Sequence, residues 1–290
     1  MIKKYNNVIF FLSEPSETEI SEVSTECKIP EALLITSLEQ NNLARIHFND
    51  MTSVHFGIPH LSRENNGKRV RIVPCGVFVS DTWITVVVSK RYKAIEEVVS
   101  IVGSESEDLY GILLRILFTV AMLYIDQLEV IDNETEKLEK GLKKRVNNKE
   151  IFQLMDYQRS LTAISTSLKG IDRIMKKITD NKERFRNHEL LDDTNVAVLQ
   201  AGGMAEIFSA DLDALMDAFG SILSNNVNQI MKILTSLTLI VAIPTMIAGL
   251  YGMNLQLPLA DQPQAFWIIS GTAFLLAGVI GMVFHWRKML

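Results

Sequence analysis

Stepping from Asp217 by alternating four and three residues picks out Ser221, Ser224, Asn228, Met231, Thr235, Thr238, Ala242, Thr245, Gly249 and Gly252, and all but Met231 are polar or small. These positions offer hydroxyl, amide and backbone oxygens and a single carboxylate. Groups of this kind can line a polar path. A coiled coil held by direct packing would want Leu or Ile on this seam, yet Leu234, Leu237, Ile240, Val241 and Ile247 lie off it. Helices turning such a seam toward a shared axis would enclose a narrow polar path. The other reading is that small residues let membrane helices pack closely, and for any one Gly or Thr both readings stand. The run of the pattern over Asp217 to Gly252 favours the path. Met231, with Leu234 one turn on, would put bulky apolar side chains at its cytoplasmic mouth, either as a constriction that stops ions by dewetting or as interfacial packing.

Other chemistries find little support. His47, His55, His60, His188 and His285 are scattered without metal-ligand or nucleophile spacing, and there is no phosphate-binding Gly-rich loop, so no enzyme is expected. Cys27 and Cys75 stand alone and read as core positions of a reduced compartment. With 29 basic against 34 acidic residues and a net charge of -5, the chain has no footprint for nucleic acid.

The elements that must position the seam are legible from hydropathy. No charged residue occurs between Lys232 and Asp261, and a second uncharged run extends from Gln262 to Trp286. Each exceeds the roughly 20 residues that cross a bilayer, so two membrane helices are expected. The connector has no Lys or Arg, whereas Lys232 opens the first span and Arg287 and Lys288 close the second. That bias places both termini in the cytoplasm of a multi-pass protein of the cell membrane. The apolar run Val8 to Leu12 is too short for a secretory signal.

Upstream, β-rich runs at Asn7 to Leu12, Ala44 to Phe48, Ser53 to Ile58 and Arg69 to Ser89 alternate with helical stretches at Glu17 to Cys27, Pro30 to Gln40 and Ala94 to Val102. Val70 to Val79 and Trp83 to Val88 bracket a polar turn and read as a hairpin. After Gly103-Ser104 the period becomes helical. One face carries Leu113, Leu117, Val120, Tyr124, Leu128 and Ile131; beyond the Asn147-Asn148 turn a second helix carries apolar residues from Ile151 to Ile178. The two are expected to pack as an antiparallel hairpin. A third helix starts near Leu190 and need not stop until Gly252, with Gly202-Gly203, Gly220 and Pro244 as points of bending.

The expected fold class is thus an α+β cytoplasmic domain followed by long helices and two C-terminal transmembrane helices. The expected divisions are an α/β domain over 1–105, a helical hairpin over 106–189 and a stalk over 190–229. The first span follows at 230–254, an external loop at 255–264, the second span at 265–286 and a basic tail at 287–290.

At the outer end of the first span stands Ala248-Gly249-Leu250-Tyr251-Gly252-Met253-Asn254. With Asn228 to Thr235 before it and a second span and basic tail after it, the chain resembles the CorA family of magnesium channels. The Gly-Met-Asn signature of that family ends the first membrane helix. The resemblance covers the whole chain in architecture, though in sequence it concentrates on Asp217 to Asn254 and, more loosely, the helix around Arg159. It implies a funnel-shaped homopentamer in the lipid bilayer. Mg2+ would be its substrate and also a regulatory ion, moving passively down its electrochemical gradient.

By the same resemblance Gly252, Met253 and Asn254 are the selectivity filter, with a ring of Asn254 amide oxygens holding the hydrated ion. Asn228, Met231, Leu234, Thr235, Thr238, Ala242, Thr245 and Gly249 line the pore, and Asp193 and Asp217 are candidates for regulatory metal binding, or else solvated surface acids. The loop departs from the family pattern: Leu255 to Gln264 has Asp261 as its only acid, which weakens any outer ring that would concentrate cations. Two alternatives stay open. One is a transporter of the zinc-carrying ZntB branch, against which the intact signature and the lack of a Cys/His cluster argue. The other is a membrane-anchored scaffold or sensor that does not conduct.

Overall fold

The computed structural model describes residues 2–5, 8–39, 44–64, 67–102, 108–142, 148–253 and 262–287. The chain divides into two compact units, Met1–Leu215 and Met216–Leu290.

The first unit is built on a six-stranded sheet of order β1-β2-β6-β5-β4-β3. Its strands are β1 (Ile2–Tyr5), β2 (Ile9–Ser13), β3 (Arg45–Phe48), β4 (Thr52–Glu64), β5 (Gly67–Val79) and β6 (Ile84–Val88). β2 and β6 pair in parallel and the other neighbours antiparallel. Every residue of β2 and β6 is buried. Uniform apolar runs such as Ile-Phe-Phe-Leu and Ile-Thr-Val-Val-Val are what strands covered on both faces require. Helices α1 (Glu17–Cys27) and α2 (Glu31–Ser37) close one cluster over Phe10, Leu12, Phe78 and Val87. Cys27 and Cys75 are both buried, as their isolation in the sequence led us to expect.

The β5–β6 hairpin forms with Cys75 opposite Val88 and Val79 opposite Ile84. Two features of the sheet escape the sequence pattern. β1 reads as polar because of Lys3 and Lys4, but both charges are met by the helices beside the sheet edge. Lys3 pairs with Glu96 of α3 (Lys93–Val102), and Lys4 reaches Glu22 at 3.1 Å and Glu26 at 2.6 Å on α1. Lysines on an edge strand also discourage pairing with another chain. β4 is longer than its alternation suggests because Gly57 and Pro59 interrupt the apolar pattern. At Gly57 a Cβ would lie 2.1 Å from Ile72 Cγ2 and 2.8 Å from Ser167 Oγ, so the strand passes too close to its neighbours for any side chain.

The long helices are α4 (Leu109–Leu142) and α5 (Asn148–Asp180). All the expected apolar positions of α4, Leu113 to Ile131, are buried, as are Leu154, Leu161, Ile164, Leu168, Ile171, Ile174 and Ile178 of α5. Their partners are not only each other. α5 runs along β5 and α4 lies on β4, so the hairpin's apolar faces also cover the sheet. The buried Tyr124 hydroxyl donates to the Gly57 carbonyl at 2.9 Å and stands 2.7 Å from Ser167 Oγ, joining α4, β4 and α5. The expected breaks at Gly103-Ser104 and at Asn147 lie outside the described residues.

Among the described residues three helices are long and apolar enough to cross a membrane, and α4 is one of them. In α4, however, 56% of the apolar stretch is buried within the protein, against 6% and 11% in the two C-terminal helices. The hydrophobicity of α4 is therefore used up within the first unit, by α3, α5 and the sheet.

His55 on β4 is 1% exposed and stacks edge-on against Phe78 at 5.5 Å. Burial, helped by the positive charge of Arg45 and by His47, pulls its pKa down to about 4. Unfolding restores a value near 6.5, so between these limits the unfolded chain binds more protons. This contribution to stability is complete above about pH 6.5 and is lost as pH falls toward 4. Thermal unfolding of the first unit is expected at lower temperature at pH 5 than at pH 7, with a smaller difference in His55→Gln. Identical pH dependence in the two proteins would contradict this.

Candidate functional site

The second unit contains α6 (His188–Tyr251) from Met216 onward and all of α7 (Ala265–Trp286). α6 continues through Pro244 without interruption in its assignment, as tolerated where a neighbouring helix shares the environment. Its contact with α7 is a narrow stripe: Ser236 is buried, and Ile240, Ile243, Pro244 and Ile247 are half-buried. From α7, Ala265, Ala273 and Ala277 are buried. Small residues on one helix let large ones on the other approach, and a Cβ on Gly281 would stand 3.6 Å from Ile240 Cδ1.

At 100° per residue the seam lies roughly 120–180° around α6 from Ile240. In the protomer Asn228, Met231, Thr235, Thr238, Ala242, Thr245, Gly249 and Gly252 are all exposed, as is Leu234 at the seam's edge. The helix therefore turns Ser236, Ile240, Ile243, Pro244 and Ile247 toward α7 and the seam away from it, while Leu237, Leu239 and Val241 are exposed as well. Thr238 and Thr245 donate their hydroxyl protons to the carbonyls of Leu234 and Val241, each at 2.8 Å. What remains on each hydroxyl is acceptor capacity, which suits the outward-pointing hydrogens of a hydrated cation. Ser236 does the same toward Lys232 at 2.8 Å but faces α7. Its polarity alone would not have separated it from the seam; its position one residue past Thr235 and two before Thr238, outside the alternation, does.

Gly252 keeps ordinary backbone geometry, since no described glycine has positive φ, and its amide donates to the Ala248 carbonyl at 2.9 Å. A Cβ there would meet only helix carbonyls, at 3.4 and 3.6 Å. Its use is thus a bare surface and not an unusual conformation. Met253 is 51% exposed and Tyr251 37%, so neither is packed deeply within the protomer. Asn254 lies outside the described residues, as do Leu255 to Asp261. Asp193 and Asp217 are both exposed on α6, and among the described residues no three His, Cys, Asp or Glu side chains converge as a metal site.

The profile of the CorA-like Mg2+ transporter protein family matches residues 6–288. This chain belongs to that family. The family is one of transporters, not enzymes. The cobalt/magnesium transport protein CorA of Methanocaldococcus jannaschii is 24% identical over 287 residues, spanning 94% of this chain and 88% of the relative. The complete structure of the CorA magnesium transporter from the same organism superposes with a TM-score of 0.78 at 23% identity, covering 96% of this chain and 89% of that one. The cytoplasmic domain of ZntB from Vibrio parahaemolyticus superposes with a TM-score of 0.60 at 9% identity, over 75% of this chain and 88% of that domain. These likenesses show the fold: an α+β unit, long helices and an apolar C-terminal pair, as the sequence leads one to expect.

Proposed function

We propose that this protein is a channel for divalent cations, with Mg2+ as its substrate, formed by several copies whose α6 seams face a common axis. One observation carries the proposal: the polar and small residues from Asn228 to Gly252 occupy the face of α6 turned away from α7, and this face runs into Gly252-Met253. A helix in a bilayer with such a face uncovered would set hydroxyls against lipid; assembly around a water-filled path removes that cost. Exposed Val196, Leu199 and Ile207 on α6 of the first unit, at 62%, 56% and 59%, fit the same requirement for neighbouring copies. A homopentamer, as in the family resemblance, is the assembly we favour.

In this channel Mg2+ passes with much of its water, held by rings of Thr245, Thr238, Asn228 and Asn254 oxygens. Met231 and Leu234 supply the constriction at the inner mouth. Both termini face the cytoplasm of the cell membrane, in keeping with the basic residues at Lys232 and Arg287. Flux runs down the electrochemical gradient. Metal-resolved uptake into proteoliposomes tests the assignment: Mg2+ uptake is expected, and Zn2+ uptake without any Mg2+ flux would replace it with the zinc-carrying alternative, which the single acid of the outer loop and the fold shared with ZntB favour. Intact oligomers without any divalent flux would leave the non-conducting scaffold.

Asp193 and Asp217, both exposed on α6, are proposed as regulatory carboxylates that bind Mg2+ between copies and favour closure. Asp217→Ala is expected to raise several-fold the cytoplasmic Mg2+ needed to shut the channel, read as the concentration that halves the current; an unaltered value removes Asp217 from gating.

A further inference from the structure

A second site of a different kind lies in the first unit. A cavity of about 920 Å3 opens between α5 and the β3–β4–β5 side of the sheet. α5 is held against the sheet on either side of it. The Val70 amide donates to the buried Ser160 hydroxyl at 3.1 Å, and at Gly170 a Cβ would fall 2.5 Å from Ala44 Cβ, so only glycine permits that approach. The floor is tied by the hydrogen bonds of Tyr124 with Gly57 and Ser167.

The lining is one-sided in charge. Arg69, Arg159 and Arg173 border the cavity, and none of its lining residues is acidic. Arg159 has Asp156 behind it at 4.0 Å on its own helix, and the carboxylate next to Arg173, that of Asp172, is engaged by Lys176 at 2.6 Å. Neither Arg69 nor Arg173 pairs with a carboxylate among the described residues. A smaller adjoining cavity, which shares Ala44 and Arg173, adds Lys177 and Arg45. The Arg45 Nε is buried with no hydrogen-bond partner among the described residues. Buried donors of this kind normally have an acceptor, and guanidinium groups that share a cavity with no facing carboxylate are placed to take up an anion. The rest of the wall is of another character: Phe56, Ile72 and Pro74 are apolar, while Thr162 and Thr166 bring hydroxyls.

We propose that this cavity binds a nucleoside polyphosphate. Guanidinium groups offer paired, planar donors that match phosphate oxygens. An apolar wall receives the base, the threonine hydroxyls hydrogen-bond the sugar, and the volume is in the range of small-molecule sites. A simple inorganic anion would leave the apolar wall unused. The site is independent of the conduction path, so its test reads binding and not flux.

The experiment is calorimetric titration of ATP into the full-length, detergent-solubilised protein, stripped of divalent cations with EDTA so that chelation contributes no heat. Saturable binding that weakens with added salt is expected, and it should be about tenfold or more weaker in Arg69→Gln/Arg173→Gln. Both arginines are exposed, so their replacement leaves no buried hole. Thr166→Glu, an exposed α5 position that sets a carboxylate in the cavity, is expected to abolish binding and guards against misfolding of the double variant. Lys137→Gln on α4, outside the cavity, is expected to bind as the parent does. Absence of saturable ATP binding up to about 1 mM, or undiminished binding in both cavity variants, would overturn the site. Pyrophosphate competing as well as ATP would overturn the nucleoside assignment.

Discussion

Replacing Asn254 with alanine is expected to abolish selective Mg2+ uptake while leaving the oligomer intact. Asn254 follows directly on Gly252 and Met253, where α6 has ended and the seam reaches its last bare position. Mg2+ sheds its water reluctantly, so a site that prefers it must replace bulk water around the hydrated ion with fixed oxygen dipoles. Alanine removes that dipole from every copy at once. A hydrogen bond to a charged group contributes about 1.5–3 kcal/mol, and losing even about 3 kcal/mol from the filter corresponds to roughly a hundredfold in rate. The check is Mg2+ flux into proteoliposomes alongside size-exclusion chromatography of the purified oligomer. Undiminished, still selective flux would show that the filter is elsewhere.

The second large effect concerns the first unit. Leu117 is 0% exposed on α4, in the apolar stretch that by composition alone could cross a membrane. Leu117→Ala removes side-chain volume from a packed core and is expected to cost about 2–5 kcal/mol. Against a total of about 5–15 kcal/mol for a typical domain, that is a large fraction. Leu275 on α7 is 66% exposed, and Leu275→Ala is expected to change stability in detergent by less than about 0.5 kcal/mol. Denaturation of the two variants side by side is the measurement. Equal, small effects would mean that α4 is not the core helix that its burial makes it.

Much of this was legible beforehand because the bilayer and the period of a helix leave strong marks on composition. The two uncharged runs, the apolar faces of α4 and α5, and the β5–β6 hairpin all follow from pattern. The failures have local causes. β1 carries two lysines whose acidic partners lie 18 to 93 residues away along the chain, so nothing adjacent announces a strand. β4 includes Gly57, whose value is set by Ile72 and Ser167. The arginines of the α5 cavity come from β5 and from two positions about four turns apart on α5, and no motif joins them.

By itself the sequence determined that two C-terminal helices are apolar enough for a bilayer, and that the first of them carries a polar and small seam ending at Gly252-Met253-Asn254. Both properties are local: they depend on charge count and on a repeat read along one helix. Only the tertiary structure decided which face of α6 meets α7, and that α4, also apolar enough to span a bilayer, is covered by the sheet and helices of the first unit. Hydropathy measures how much a segment gains by leaving water, but it does not name the partner that covers it. The partner is chosen by packing between elements distant in sequence.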